Sequence, residues 1–76
     1  AEVMEDIRAQ LLEGAAMAAI LPDANARIMA AGFNEIDYLE LRDGGDLGLL
    51  DGARPNARLF AAAWLAGVRL IDNIAV

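Results

Sequence analysis

The sequence predicts an α+β fold in which helices pack on one face of a small three-stranded antiparallel sheet. Two observations support this prediction. As far as Ala31, apolar residues recur at the spacing of amphipathic helices. Beyond Gly32, apolar runs of strand length alternate with short stretches rich in Gly, Pro, Asn and Asp. No repeat or linker divides residues 1–76, so a single domain is expected.

The first predicted helix runs from Glu2 to near Gly14. Acidic and amide side chains cover most of its surface, and a stripe of apolar residues recurs at helical spacing: Val3, Met4, Ile7, Leu11 and Leu12. A partner-binding helix would show the same pattern. Because a core-facing stripe is the commoner cause, we expect this stripe to face the core.

A second apolar set with helical spacing runs through a proline. Its members are Met17, Ile20, Leu21, Ala24, Ile28 and Ala31. Because Pro22 has no N–H to donate, either one helix is kinked there or a new helix begins there. Asp23 suits a first helical turn, so the sequence favours a new start. Gly32 then predicts the helix end, with Phe33 packing back on the last turn.

The predicted sheet begins with a strand from Ile36 to Arg42. In this strand Leu39 and Leu41 point to one face, and the residues between them point to the other. Residues 43–56 combine Gly, Asp, Pro and Asn in turn-forming pairs. They predict a loop between this strand and the rest of the sheet.

The longest apolar run of the chain predicts a β-hairpin. Ala and Leu favour a helix at Leu59–Leu65, but so short a run makes a poor isolated helix. Two strands, Leu59–Leu65 and Val68–Ile74, fit better around a two-residue turn at Ala66-Gly67. In this register one face is nearly all apolar and is predicted to carry the core: Leu59, Ala61, Ala63, Leu65, Val68, Leu70, Asp72 and Ile74.

Asp72 is the exception on this face. Burial of an unpartnered carboxylate would cost several kcal/mol or force its protonation. We therefore expect an Arg side chain or backbone N–H groups to bind it, in a structural role, and the candidate arginines are Arg27, Arg42 and Arg58. An exposed Asp72 would indicate a register shifted by one residue.

The opposite face of the hairpin carries Phe60, Trp64, Arg69 and Ile71. Arg69 lies across from Trp64 in the predicted register, so its guanidinium could stack on the indole ring. Alternatively, this face covers a neighbouring domain.

Composition excludes several classes of partner. The net charge is −6, with six Arg and no Lys, whereas nucleic acids and anionic membranes require a basic surface. No apolar run approaches the ~18 residues of a membrane span, and the charged N-terminal segment is unlike a signal peptide. A cytoplasmic location is therefore expected. The hydrophobic content of 58% is inflated by Ala, so the core should be thin.

Ser, Thr, Cys, His and Lys are all missing from the chain. Most nucleophiles, the lysine of a phosphate-binding loop and the usual His and Cys metal ligands are therefore absent. We expect no catalytic, cofactor-binding or metal-binding residue in this segment. A complete enzyme is not expected.

Three local groups of residues could each have a function. For each of them we favour a purely structural role. A glycine-rich loop resembles a phosphate cradle, although its aspartates would repel phosphate. The same aspartates could bind Ca²⁺ but lack the spacing of an EF-hand, and two other carboxylates could form an acid–base pair. The glycines are Gly44, Gly45 and Gly48, the aspartates are Asp43, Asp46 and Asp51, and the pair is Glu40 and Asp72.

Three separated blocks agree in order and spacing with one known family. They comprise residues 32–33, residues 37–43 with Leu47, and residues 62–65 with 69–73. In these blocks the chain resembles the C-terminal end of the pantothenate synthetases, the ATP-dependent pantoate–β-alanine ligases. The resemblance spans nearly the whole chain but only the smaller part of the family's protein. The family usually has Gly directly after Leu65, where this chain has Ala66 followed by Gly67, and the two orders favour different turns.

The resemblance implies that the chain is a fragment, the C-terminal lid domain of a longer ligase, and the missing initiator Met agrees with this. Such enzymes use ATP, with Mg, to activate pantoate as an acyl adenylate, from which β-alanine displaces AMP. The family's His-x-Gly-His motif and Ser-Ser-Arg segment do not occur here, so no catalytic residue is carried over. The implied partners are an N-terminal nucleotide-binding domain and a second copy of the parent in a homodimer. This segment alone is expected to be inactive.

Two other functional classes remain open. The chain could be a freestanding acidic protein-interaction module that binds through Phe60, Trp64 and Ile71. A small carboxylate-based enzyme is the least favoured alternative.

Overall fold

The computed structural model describes residues 2–76, which form two helices and one four-stranded antiparallel sheet. The strands lie in the order β2-β1-β3-β4 across the sheet. The α+β class is therefore confirmed. The elements in chain order are α1 (Glu2–Leu12), α2 (Met17–Ala30), β1 (Glu35–Asp43), β2 (Leu49–Leu50), β3 (Ala57–Leu65) and β4 (Val68–Ala75).

The number of strands differs from the predicted three. Within the predicted loop, Leu49 and Leu50 form the short strand β2, which pairs with Arg42 and Leu41 of β1. The chain is brought back alongside β1 by a tight turn in which the backbone N–H of Asp43 donates to the carbonyl of Gly48 at 2.9 Å. A strand of two residues has no period to detect, so the sequence pattern could not reveal it.

The second helix is continuous, so the favoured new start at Pro22 is wrong. Helix α2 begins at Met17 and includes Pro22, whose exposed ring replaces the N–H that would have bonded the Ala18 carbonyl. An interior proline costs about 3 kcal/mol. Burial of Met17 and Ile20 in the preceding turns contributes about 1.5 to 3 kcal/mol each and outweighs that cost.

Both helix ends predicted from glycine are confirmed. Gly14 follows α1 with φ +102°, and Gly32 follows α2 with φ +105°. The Gly32 N–H donates to the Met29 carbonyl at 3.1 Å, which satisfies a terminal acceptor of the helix. Positive φ values of this size exclude most side chains, so the glycines determine where the helices stop.

The core lies between the two helices and the two central strands. Most of the predicted apolar stripe of each helix faces it, but Leu12 in the first stripe and Ala31 in the second are exposed. The buried residues of this cluster are Met4, Ile7, Leu11, Met17, Ile20, Ala24, Leu39, Leu41, Ala57 and Leu59. Leu41 and Leu59, opposite each other on β1 and β3, are almost completely buried. The inward orientation of Leu39 and Leu41 is as predicted.

The hairpin of β3 and β4 has the predicted register. Leu65 pairs with Val68, and Ala61 pairs with Asp72. Ala66 and Gly67 have φ values of +51° and +82°. Positive φ at both central positions is the signature of a type I′ turn, so an alanine occupies a left-handed conformation that glycine adopts more readily.

The two strands of the hairpin differ in burial. On the face that packs against the helices, Leu59 and Ala63 of β3 are buried, but Val68 and Leu70 of β4 remain 58% and 44% exposed. The register was predicted correctly, yet the predicted core face is only half right. The helices pack over β1 and β3, and β4 extends beyond them as an edge strand.

The predicted burial of Asp72 is wrong for the same reason. Asp72 is exposed although its register is as predicted, so exposure does not indicate a shifted strand. Its Oδ1 accepts a hydrogen bond from the backbone N–H of Asn73 at 2.8 Å. The candidate arginines bond elsewhere: Arg27 to Asp6, Arg42 to Glu40 and to the Leu47 carbonyl, and Arg58 to Asn73.

Candidate functional site

A β-bulge in β1 changes the direction of one acidic side chain. Ile36 pairs with Ala63 and Tyr38 pairs with Ala62, which leaves Asp37 as the extra residue. In a regular strand Asp37 and its neighbour Tyr38 would point to opposite faces. The bulge instead brings the Asp37 carboxylate to the Trp64 side of the sheet.

The Asp37 carboxylate joins two strands on this face. Its Oδ2 accepts hydrogen bonds from the Trp64 Nε1–H at 3.1 Å and from the Arg69 Nε–H at 2.8 Å. The Arg69 Cζ lies 6.0 Å from the centre of the Tyr38 ring. We call these four residues the Asp37 cluster.

The cluster corrects the predicted stacking of Arg69 on Trp64. The two residues are cross-strand partners, as predicted. However, the guanidinium lies over Tyr38, because the bond to Asp37 draws it across β3 toward β1. No sequence pattern singled out Asp37, because the bulge decides to which face its side chain points.

The open face of the sheet, opposite the helices, continues beyond the cluster as paired side chains. Arg42 bonds to Glu40 along β1, and Arg58 bonds to Asn73 across the hairpin. Phe60 is half-buried and lies between its cross-strand neighbours Glu40 and Asn73. Ile71 on the same face is 60% exposed. The charged side chains of this part of the face are therefore bonded within the sheet.

An apolar groove of about 430 Å³ lies on the other side of the sheet, between the start of α1, the end of α2 and the hairpin. Its walls are mostly hydrophobic, and the lining residues are Glu2, Val3, Met4, Ile28, Ala31, Phe33, Ala61, Ala63, Leu70 and Asp72. The helices leave this space because β4 projects beyond them. No sequence pattern predicted the groove, because it depends on where the helices lie on the sheet.

The aspartates of the 43–51 loop bond to the loop itself and to α2. Asp43 Oδ1 accepts from the Gly45 N–H at 2.7 Å, and Asp46 Oδ1 accepts from the Gly48 N–H at 2.8 Å. Asp51 Oδ1 accepts from the Ala18 N–H at 3.3 Å. Within residues 2–76, no three His, Cys, Asp or Glu side chains are grouped so as to hold a metal ion.

The suggested acid–base pair of Glu40 and Asp72 is not formed. Glu40 is opposite Phe60, and Asp72 is opposite Ala61, so the two carboxylates point to opposite faces of the sheet. Glu40 bonds to Arg42 instead, with an N–O distance of 3.2 Å.

The helices are also linked by an ion pair. The Arg27 Nη2 donates to Asp6 Oδ2 at 2.7 Å, and this hydrogen bond raises the pKa of Arg27. Among the helices of residues 2–76, neither has the length and apolar character needed to cross a membrane.

Fold and surface together define a small acidic α+β unit with an apolar groove on the helix side of its sheet and a cluster of paired polar and aromatic side chains on the other side. Comparison with known proteins identifies its family. Residues 1–75 match the family model described as pantoate-beta-alanine ligase. The chain belongs to the pantoate–β-alanine ligase family.

Individual relatives agree with the family match. The chain is 53% identical over 75 residues to a pantothenate synthetase of Roseobacter denitrificans, covering 99% of this chain and 26% of the relative. It is 49% identical over 76 residues to that of Chelativorans sp., covering 100% of this chain and 27% of the relative. It is 56% identical over 63 residues to that of Paracoccus denitrificans, covering 83% of this chain and 22% of the relative. The chain thus spans about a quarter of the length of these curated relatives.

Proposed function

We propose that this chain is the C-terminal lid domain of an ATP-dependent, AMP-forming pantoate–β-alanine ligase. The observation that carries the proposal is the family match along residues 1–75 by a chain that spans only about a quarter of its relatives. The rest of the parent would supply the nucleotide-binding domain, and this domain would pack against it. The parent would be a cytoplasmic homodimer that uses ATP with Mg.

The chemistry proposed for the parent has two steps. Pantoate attacks ATP to form the pantoyl adenylate and pyrophosphate, and the amine of β-alanine then displaces AMP to form pantothenate. An acyl adenylate is readily hydrolysed, so a domain that excludes water from it preserves the product yield. A lid of this kind needs surfaces that contact the neighbouring domain, and it needs no nucleophile of its own.

The composition of the chain supports a lid rather than a catalytic unit. It has no Ser, Thr, Cys, His or Lys. Its carboxylates in the 43–51 loop bond to the loop and α2, and the Asp37 carboxylate bonds to Trp64 and Arg69. We therefore assign no catalytic, cofactor-binding or metal-binding residue to this segment.

The first experiment compares this chain alone with the full-length parent. Each protein is incubated with ATP, pantoate and β-alanine, and AMP and pantothenate are measured. We expect the parent to form both and this chain to form neither. AMP release that depends on the isolated chain would contradict the proposed role.

A second experiment tests the lid itself. The parent is shortened by the residues of this chain and incubated with ATP and pantoate, with and without β-alanine. Loss of the lid should lower pantothenate formation and raise the ratio of AMP to pantothenate, because water then reaches the adenylate. A shortened parent with unchanged pantothenate synthesis would refute the lid function.

The alternative is a freestanding acidic interaction module. The observation that favours it is the open face of the sheet, where Ile71 is 60% exposed beside the aromatic Trp64 and Phe60. The genomic reading frame upstream of Ala1 separates the two functions. A preceding domain with a His-x-Gly-His motif would support the ligase, and an early stop would support the module.

A further inference from the structure

Two Asp-Gly pairs lie between β1 and β3: Asp43-Gly44 at the end of β1 and Asp51-Gly52 directly after β2. Such a pair can isomerise without an enzyme, because glycine has no side chain to keep its backbone nitrogen away from the preceding carboxyl group. The nitrogen attacks only after it has lost its proton, so a hydrogen bond that holds this N–H protects the pair. The two pairs differ in this respect.

The Asp43-Gly44 pair is held at both reacting groups. The Gly44 N–H donates to the Asn56 carbonyl at 2.7 Å, and Asp43 Oδ1 accepts from the Gly45 N–H at 2.7 Å. Gly44 is also closely packed, since a Cβ built on it would lie 2.8 Å from the Asn56 carbonyl oxygen. Both bonds have to open before the nitrogen reaches the carboxyl carbon, so folding protects this pair.

The Asp51-Gly52 pair is open at its nitrogen. Within residues 2–76, the Gly52 N–H donates to no acceptor, and a Cβ built on Gly52 would meet nothing within 4 Å. Of the described residues, only Ala18 bonds the exposed Asp51 carboxylate, through its N–H at 3.3 Å. The pair also lies outside the helices and strands, so its main chain can turn without breaking their hydrogen bonds.

We propose that Asp51-Gly52 is a site of spontaneous isoaspartate formation, and that the product loosens the start of α2. The inference goes beyond the proposed lid function and does not depend on it. In the first step the Gly52 nitrogen bonds to Cγ of the protonated Asp51 carboxyl group. The OH of that carboxyl group and the amide proton leave as one molecule of water, and a succinimide ring remains.

Water opens the succinimide ring in the second step. Addition of water at Cγ breaks the new bond and restores aspartate. Addition at the main-chain carbonyl carbon of Asp51 breaks its bond to the Gly52 nitrogen, which takes up a proton. The main chain then runs through Cγ, and the former main-chain carbonyl becomes a free carboxylate. One water is released and one is taken up, so mass and charge are unchanged and no other reactant is needed.

The isomer changes the residue that caps α2. In the folded chain the Asp51 carbonyl accepts from the Met17 N–H at 2.7 Å, and its side chain accepts from the Ala18 N–H. After isomerisation the main chain that follows β2 is longer by one carbon, and both oxygens belong to different groups. The first turn of α2 therefore loses the acceptor geometry that fixes it. The isomerised chain should unfold at a lower urea concentration than the unmodified chain.

The first test follows isoaspartate at both pairs while the folded chain is kept warm at neutral pH. Peptide mapping with electron-transfer fragmentation distinguishes the two isomers. We expect product at position 51 and at least about tenfold slower formation at position 43, a ratio equivalent to about 1.4 kcal/mol of bonds that open first. In concentrated urea the two rates should become similar, because the protecting bonds are gone. Equal rates in the folded chain, or no product at position 51, would overturn the proposal.

Gly52→Ala is the matching variant, because the fold has room for the added methyl group and Gly52 does not adopt a positive φ. The new Cβ hinders the approach of the nitrogen to Cγ, so product at position 51 should form several-fold more slowly while the urea midpoint stays in place. Product at position 43 is the internal control and should not change. An unchanged rate at position 51 would overturn the proposed site. Equal urea midpoints for the isomerised and unmodified chains, once separated by chromatography, would overturn its link to α2.

Discussion

At the scale of single residues, Ala66 is in the least favourable backbone conformation of the hairpin. Its φ of +51° lies in the left-handed region, and its N–H donates to Asn34 Oδ1 at 3.0 Å. Glycine has no Cβ to oppose this conformation and keeps the N–H. Ala66→Gly should therefore stabilise the protein by about 0.5 to 1 kcal/mol, measured by urea denaturation.

The same chemical change in a helix provides the control for Ala66. Ala26 is exposed within α2, so Ala26→Gly should destabilise the protein by about 1 kcal/mol. The two substitutions remove the same methyl group, so changes of opposite sign in the unfolding free energy would come from the backbone conformation at the two positions. A lower urea midpoint for Ala66→Gly would contradict the positive φ at this turn.

Asp37 holds together the hydrogen bonds between side chains of Trp64 and Arg69 on the open face of the sheet. One carboxylate oxygen accepts from both Trp64 and Arg69, so Asp37→Ala leaves two donors without this acceptor. The site is partly exposed and water can replace the carboxylate, so we expect a loss of about 1 kcal/mol in unfolding free energy. Because the chain has one Trp, its fluorescence maximum should shift with the substitution.

A carboxylate away from the sheet serves as the control for Asp37. Glu13 follows α1 and is exposed. Glu13→Ala should change the unfolding free energy by less than about 0.5 kcal/mol and leave the fluorescence maximum in place. Equal effects of the two substitutions would mean that Asp37 acts only through its charge.

At the scale of elements, the loop after β2 determines where α2 begins. Ala16 precedes the helix without a side-chain cap, and Asp51 supplies the missing acceptors. Its carbonyl accepts from the Met17 N–H at 2.7 Å, and its Oδ1 accepts from the Ala18 N–H at 3.3 Å. A remote residue thus performs the function of an N-cap and holds β2 against the helix.

The cap predicts the effects of two substitutions at Asp51. Asp51→Ala removes the side-chain acceptor but keeps the backbone one, so it should cost about 0.5 to 1 kcal/mol of unfolding free energy. Asp51→Asn retains an oxygen acceptor and should recover most of that loss. Urea denaturation followed by circular dichroism measures both. If the Asn variant is as unstable as the Ala variant, charge rather than capping is responsible.

At the scale of the whole molecule, excess negative charge should oppose folding. The chain has twelve acidic and six basic side chains. The ion pairs Arg27–Asp6 and Arg69–Asp37 are partly exposed, and such pairs contribute only about 0 to 1 kcal/mol each. They cannot offset repulsion that acts across the entire surface.

Salt should therefore stabilise the protein. The radius of gyration is 11.9 Å. The Debye length is about 30 Å at 0.01 M salt and about 8 Å at 0.15 M, so only the higher concentration screens charges across the molecule. We expect the urea midpoint to rise between these two conditions. Glu35→Gln should reduce that rise, and a midpoint that falls with added salt would show that ion pairs dominate.

The sequence by itself determined the features that depend on local patterns. The α+β class followed from periodicity, and the hairpin register followed from a two-residue turn, which aligns Leu65 with Val68 and every pair beyond. The ends of both helices followed from Gly14 and Gly32. The absence of Ser, Thr, Cys, His and Lys also needed no structure.

Tertiary structure decided which predicted surfaces were covered. Val68, Leu70 and Asp72 are exposed because β4 lies beyond the helices, although their face of the strand was predicted correctly. Pro22 lies within one helix because the burial of its neighbours outweighs a lost hydrogen bond. Both outcomes depend on residues distant in sequence. The spacing of apolar residues in the sequence predicts which side of a helix or strand is apolar. The positions of the other helices and strands decide whether that side is buried.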